Sequence, residues 1–359
     1  MKIIVVGAGI IGALTAYRLA QAGAEVTVIE ARQPASAASG ASFGWINASF
    51  YLDEDHFRLR CAALEAHRRA QDDLGTTATV WSGCLCWEEA GPGFDAQLAA
   101  LERLGYPVQV VERAAFAKLE PAVAPPERAL LFEAEGAVDL RQLAADALAA
   151  AAARGARLIT GIEVLDIQER SGRVTAVETS LGALPADHVV VAAGVATQRL
   201  MQPFEVPLPM LHRPALILRS EPIEPVLAHV LVAPGQELRQ TPDGRLLAPT
   251  VASHQSDDSA RITSRPDVLA EAAMARVSAL LNRPLTWQEV TLAARPMPED
   301  GLPVIGACGP EGLYVSTMHS GATLAPLVAE LAAAEVMERG LTNAQAALLA
   351  PYRPQRFTA

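Results

Sequence analysis

The sequence predicts an α/β protein of two lobes, one built from βαβ units and the other a discontinuous α+β lobe carrying a mainly antiparallel sheet. Three observations predict it. The chain has 359 residues, more than the about 100–200 of one compact domain. Its first thirty residues alternate strand, glycine turn, helix and strand. Prolines crowd two stretches, 87–134 and 208–291, that interrupt regular α/β blocks.

The first strand, Ile3-Ile4-Val5-Val6, runs into Gly7-Ala8-Gly9-Ile10-Ile11-Gly12. Ile10, Ala13, Leu14 and Tyr17 then recur at helical spacing, Gly23 closes the helix, and Val26, Val28 and Ile29 lead a second strand to Glu30. A GxGxxG directly after a strand and opening a helix suits a pyrophosphate. Gly7 allows the turn, Gly9 admits the phosphate to the backbone, and Gly12 lets helix and strand pack closely. Glu30 stands 18 residues after Gly12, where a carboxylate accepts hydrogen bonds from ribose hydroxyls, with Ala31 and Arg32 beside it. The unit is therefore Rossmann-like, and by itself it leaves NAD and FAD open.

A second block runs from Gly136 to Gly194. Asp139 caps a helix carrying Leu140, Leu143, Ala147 and Leu148 that Gly155 ends; strands follow at 157–160, 164–168, 174–179 and 188–192. The third block begins at Leu292 and holds a Gly/Pro-rich loop, the strand 313–315 and a helix from about 322 to 338. The nucleotide lobe is thus assigned to 1–86, 135–207 and 292–359. The second lobe takes 87–134 and 208–291, where Pro107, Pro121, Pro125, Pro126, Pro209, Pro214, Pro222 and Pro225 predict irregular connections and edge strands. A cleft where two such lobes meet is a common small-molecule site.

Composition narrows the function. Hydrophobic residues make up 51% of the chain and charged ones 19%, which describes a folded globular protein. The net charge of −11, with no run of basic residues, argues against nucleic acid. No apolar run reaches the about 18 residues of a membrane span. The spacing of Cys61, Cys84, Cys86 and Cys308 fits neither a disulfide framework nor a zinc knuckle, and Met1-Lys2 lead straight into a strand, so reduced thiols and a cytoplasmic location are expected. Asp53, Glu54, Asp55 and His56 read as an acidic helix start rather than a metal cluster, and no metal is expected.

Further motifs decide between the dinucleotides by resemblance. Arg295-Pro-Met-Pro-Glu-Asp-Gly-Leu-Pro-Val-Ile-Gly306, Gly312-Leu-Tyr-Val and His319-Ser-Gly-Ala-Thr-Leu-Ala-Pro326 resemble the closing signature of the FAD-dependent D-amino-acid oxidase, glycine oxidase and sarcosine oxidase family. Ala38-Ser39-Gly40-Ala41-Ser42 and Val189-Val-Val-Ala-Ala193-Gly194 resemble its other flavin contacts. The resemblance covers the nucleotide lobe and is faint in the second.

The resemblance implies a Rossmann-like FAD-binding domain with a discontinuous substrate domain. It implies oxidation of a small amino acid or N-substituted amino acid by hydride transfer from the α-carbon to flavin N5, and the imine then hydrolyses to an oxo acid. Val164 would hold the adenine through its backbone, and Ser320, Gly321, Ala322 and Thr323 would bring a helix N-terminus to the flavin pyrimidine. Arg295 matches the arginine that grips the substrate carboxylate, its alternative being an ion pair with Glu299 or Asp300. His319 stands where the glycine-oxidase branch has arginine, so it selects the substrate or serves as a spacer, and both residues also count among the flavin contacts. Trp45 and Asn47 are expected in the substrate pocket, with core packing as the alternative for Trp45; His212 and Arg213 also fall near the cleft. Ala293 occupies the position of the family's flavin-linking cysteine, which implies non-covalent FAD. The rival reading is a flavoprotein subunit of a heteromeric amine dehydrogenase complex acting mainly in electron transfer; an electron-acceptor partner and a homo-oligomer both stay open.

Overall fold

The computed structural model describes residues 1–252 and 258–358. Six strands form the sheet of the first lobe, in the order Val304–Ala307, Leu313–Thr317, His188–Val191, Lys2–Val6, Glu25–Glu30, Arg157–Thr160. Neighbours run parallel except the first pair. Along the central strand Ile3 and Val5 join one core while Ile4 and Val6 join another, because both faces of a parallel sheet are covered. One face meets the helices Ile10–Gln21, Leu140–Ala152 and Gly321–Val336; the other meets a three-stranded antiparallel sheet of Val164–Arg170, Arg173–Thr179 and Gly182–Pro185. Glu54–Leu74 packs against Gly321–Val336 from outside. Asp53 caps the former, accepting the His56 N–H at 2.7 Å, and Glu54 and Asp55 pair with Arg58, as an acidic helix start should.

The second lobe is an eight-stranded sheet in the order Trp287–Pro298, Met210–Ser220, Leu246–Pro249, Gln236–Gln240, Val230–Ala233, Cys84–Cys86, Arg128–Phe132, Gln109–Glu112. Only Val230–Ala233 and Cys84–Cys86 run parallel to each other. Its strands alternate strictly: Leu218, Leu231, Leu238 and Leu246 pack under the helix Pro266–Leu280, while Ile217, Val230, Val232 and Leu247 face the first lobe. Strand membership places Cys84–Cys86 in this sheet and runs Trp287–Pro298 across the 291/292 boundary.

This lobe is more regular than its prolines suggested. Pro92 and Pro266 open the helices Pro92–Arg103 and Pro266–Leu280, in the first turn where a missing N–H costs nothing. Pro214 lies in Met210–Ser220 opposite Ala294, where the strand has a neighbour on one side. Among the described residues no helix is long and apolar enough to cross a membrane.

Candidate functional site

The first strand turns at Gly7, φ +101°, and the helix starts at Ile10. A Cβ on Gly7 would meet the Ala192 carbonyl oxygen at 2.5 Å, and one on Gly12 would collide with the Gly7 carbonyl. Those two glycines are required by packing. A Cβ on Gly9 would meet only the Ser39 hydroxyl, at 3.3 Å, so Gly9 keeps the backbone open on the cleft side. The Ser39 hydroxyl accepts the Ile10 N–H at 3.0 Å, and the Glu30 carboxylate accepts Ala8 N–H at 2.8 Å and Arg32 N–H at 2.9 Å.

Of the residues anticipated from sequence, Gly7, Gly9, Ile10, Ile11, Glu30, Ala31, Arg32, Ser39, Ser42, Val164, Ala193, Gly194, His319, Gly321 and Ala322 line one continuous cleft. Leu140, Glu163, Arg199, Ala294 and Pro296 line it too and were not anticipated. Gly12, Gly40, Ala41, Arg295, Ser320 and Thr323 are not part of this lining: Gly12 holds helix to strand, and the Gly40 carbonyl accepts from Arg141 Nε at 3.1 Å and Arg219 Nη2 at 3.2 Å.

Behind the cleft lies a buried polar network that sequence reasoning missed. Arg60 is 5% exposed and donates through Nε to the Asn47 carbonyl at 3.0 Å, through Nη2 to Asn47 Oδ1 at 2.5 Å, and through Nη1 to Ser320 Oγ at 3.0 Å. Glu135 is fully buried and accepts from Ala48 N–H at 3.0 Å, Ser49 N–H at 2.9 Å, Trp45 Nε1 at 3.0 Å and Tyr106 Oη at 2.9 Å. The peptide group joining Asn47 to Ala48 therefore has a guanidinium on its oxygen and a carboxylate below its N–H. Two buried charges are coupled through one peptide dipole. The Thr323 hydroxyl ties the same segment to the helix Gly321–Val336, accepting the Asn47 N–H at 3.2 Å. Burial lowers the Arg60 pKa to about 10, still cationic at neutral pH, and raises that of Glu135.

Trp45 and Asn47 belong to this network. Trp45 is 4% exposed with its ring edge-on to Phe50 at 5.1 Å, and Asn47 is 2% exposed. Arg295 is 6% exposed, lies opposite Arg213 in the sheet, and directs Nε at the Arg213 carbonyl at 3.4 Å; Ala294 and Pro296 on either side of it line the cleft. Asp300, one partner considered for it, is held by Arg356 at 2.7 Å. A signal for Arg60 did exist: His56, Arg60 and His67 share the buried stripe of Glu54–Leu74 with Phe57, Ala63 and Leu64. Polar side chains on an apolar stripe need buried partners.

His67 shows what such a residue does. Pro326 has no N–H to give the Ala322 carbonyl four residues earlier, and His67 Nε2, 2.8 Å away, donates to it instead. The ring is thus neutral with its proton on Nε2, and burial lowers its pKa to about 4; His56, also buried, is lowered to about 3. The unfolded chain takes up these protons near pH 6.5 while the folded one refuses them. Stability is then complete above about pH 6.5 and falls as pH drops toward 4, by about 3 kcal/mol for His67 alone. In thermal melts from pH 7 to 4.5, His67→Gln, which keeps an N–H donor and does not titrate, should lose less than the wild type. Parallel losses would show that His67 does not carry the effect.

The family described as FAD dependent oxidoreductase matches residues 2–335. The chain belongs to this family. Among relatives of this FAD dependent oxidoreductase, the uncharacterized oxidoreductase YurR of Bacillus subtilis is 29% identical over 92% of this chain and 93% of its own. A glycine oxidase of Pseudomonas aeruginosa is 27% identical over 92% and 93%. Among solved structures, glycine oxidase from Geobacillus kaustophilus superposes with a TM-score of 0.84 at 26% identity, covering 99% of this chain and 98% of that one.

Proposed function

We propose that the cleft holds FAD without a covalent bond and that the protein oxidises a small amino acid or N-substituted amino acid at its α-carbon, the resulting imine hydrolysing to an oxo acid. The carrying observation is the single cleft running from the Gly7–Gly12 turn and Glu30 past Val164 and Gly194 to His319 and Gly321. The donor chemistry fits. Each Glu30 oxygen accepts one backbone N–H and keeps lone-pair capacity for a ribose hydroxyl. N–H groups in the first turn of Ile10–Gln21 have no intrahelical acceptor and suit a pyrophosphate, and those of Gly321–Val336 suit the electron-rich edge of the ring. Ala293 and a cleft lining without cysteine support non-covalent binding.

Bound flavin supplies the hydride acceptor. The protein's part is to orient the substrate: Arg295, buried between the cleft-lining Ala294 and Pro296, is assigned the planar fork for the carboxylate, and His319, at the cleft surface, ranks the side chains that fit beside it. The glycine oxidases among the relatives support an amino-acid substrate. Acid precipitation of the purified protein should leave yellow flavin in the supernatant, and an amine screen with a dye acceptor beside oxygen consumption should find activity with amino acids. Colourless protein, or colour bound to the pellet, would contradict the reading. Glu30→Ala removes two charge-assisted acceptors of about 1.5–3 kcal/mol each, so flavin content after dialysis should drop sharply. Unchanged occupancy would reduce Glu30 to a turn brace for Ala8 and Arg32.

A further inference from the structure

The sheet face that looks onto the first lobe carries cationic side chains that the proposed reaction does not use. Strand register sets Glu289, Arg219, Leu247 and Arg239 in one row across four strands. With Arg141, from the helix Leu140–Ala152, this row walls a wide chamber that is distinct from the cofactor cleft but shares Ser39, Ser42 and Leu140 with it.

Arg239 is 6% exposed, and its guanidinium donates through Nε to the Phe43 carbonyl and through Nη2 to the Val138 carbonyl at 3.4 Å. Among the described residues no carboxylate lies within ion-pair distance of it, and burial lowers its pKa to about 10, so it stays charged. Arg219 and Arg141 both donate to the Gly40 carbonyl, and Arg219 has Glu289 at 3.3 Å. The other carboxylate at this wall, Asp139, already accepts the Arg141 and Gln142 N–H groups as a helix cap. The remaining charges facing the chamber are paired locally, Arg245 with Asp243 and His229 with Glu120. Three guanidiniums therefore converge on one wall where Glu289, paired with Arg219, is in direct contact, while the buried Arg239 is bonded to carbonyl oxygens and feels Asp139 and Asp243 only at longer range.

We propose that this chamber binds a small oxyanion, a phosphate or a carboxylate, beside the cofactor loop and outside the cofactor cleft. Guanidinium forks match both anions with paired donors, and Arg239 presents its remaining N–H groups from a rigid, buried setting. The proposal does not depend on which amine is oxidised.

Calorimetric titration of the purified, FAD-loaded protein with inorganic phosphate and, separately, with malonate tests it. At least one anion should bind saturably, and Arg219→Gln and the exposed Arg141→Gln should each weaken it about tenfold at equal flavin occupancy. Arg239→Lys should weaken it as well, and if that variant fails to fold the other two still decide. The anion that binds identifies the ligand's oxyanion. No saturable binding of either anion overturns the proposal. So does binding that both variants leave intact, or binding seen only after flavin is removed, since the anion would then occupy the cofactor cleft.

Discussion

Arg60→Met should lower stability by about 3–5 kcal/mol and loosen the cofactor, the largest structural effect expected of any single side chain here. The guanidinium supplies hydrogen bonds to both oxygens of Asn47 and to Ser320, and it faces Glu135 across one peptide group. Truncation leaves those acceptors buried and unmatched while the Glu135 charge loses its counterweight. Arg60→Lys keeps the charge but cannot span the same acceptors, so its cost should fall between those of the wild type and Met. Because a guanidinium only donates, it obliges the Ser320 oxygen to accept, leaving that hydroxyl's proton free to be donated elsewhere. Thermal midpoints and flavin retention after gel filtration read the two effects separately. A Met variant as stable as the wild type would mean the network is replaceable by packing.

Arg295→Leu should cut kcat/KM for the best amino-acid substrate by about a hundred- to a thousandfold, the value of a buried carboxylate left without its partner, while flavin content holds. Amines lacking a carboxylate should lose far less. That difference is the diagnostic, because an arginine with a purely structural role would penalise both substrate classes alike. His319→Arg and His319→Ala should reorder the substrate ranking without loss of flavin. An unchanged ranking would confine His319 to packing.

Local chemistry was what the sequence by itself determined. Gly7, Gly9 and Gly12 announce their turn because no other residue fits it, Glu30 follows at a fixed strand length, and helical periodicity located Ile10–Gln21, Leu140–Ala152 and the start of Gly321–Val336 within one or two residues. Free thiols and the acidic start of Glu54–Leu74 were likewise legible. The tertiary structure alone decided that Trp45 and Asn47 lie in the network behind the cleft, that Arg60 meets Ser320 from 260 residues away, and that His67 replaces the hydrogen bond Pro326 cannot make. It also decided that Arg219 and Arg239 share one row of the sheet. Periodicity tells which side of an element is buried, but not what is buried against it. A charge on that side becomes a brace, a clamp or an anion site only when strand order and register bring a distant partner within about 3 Å.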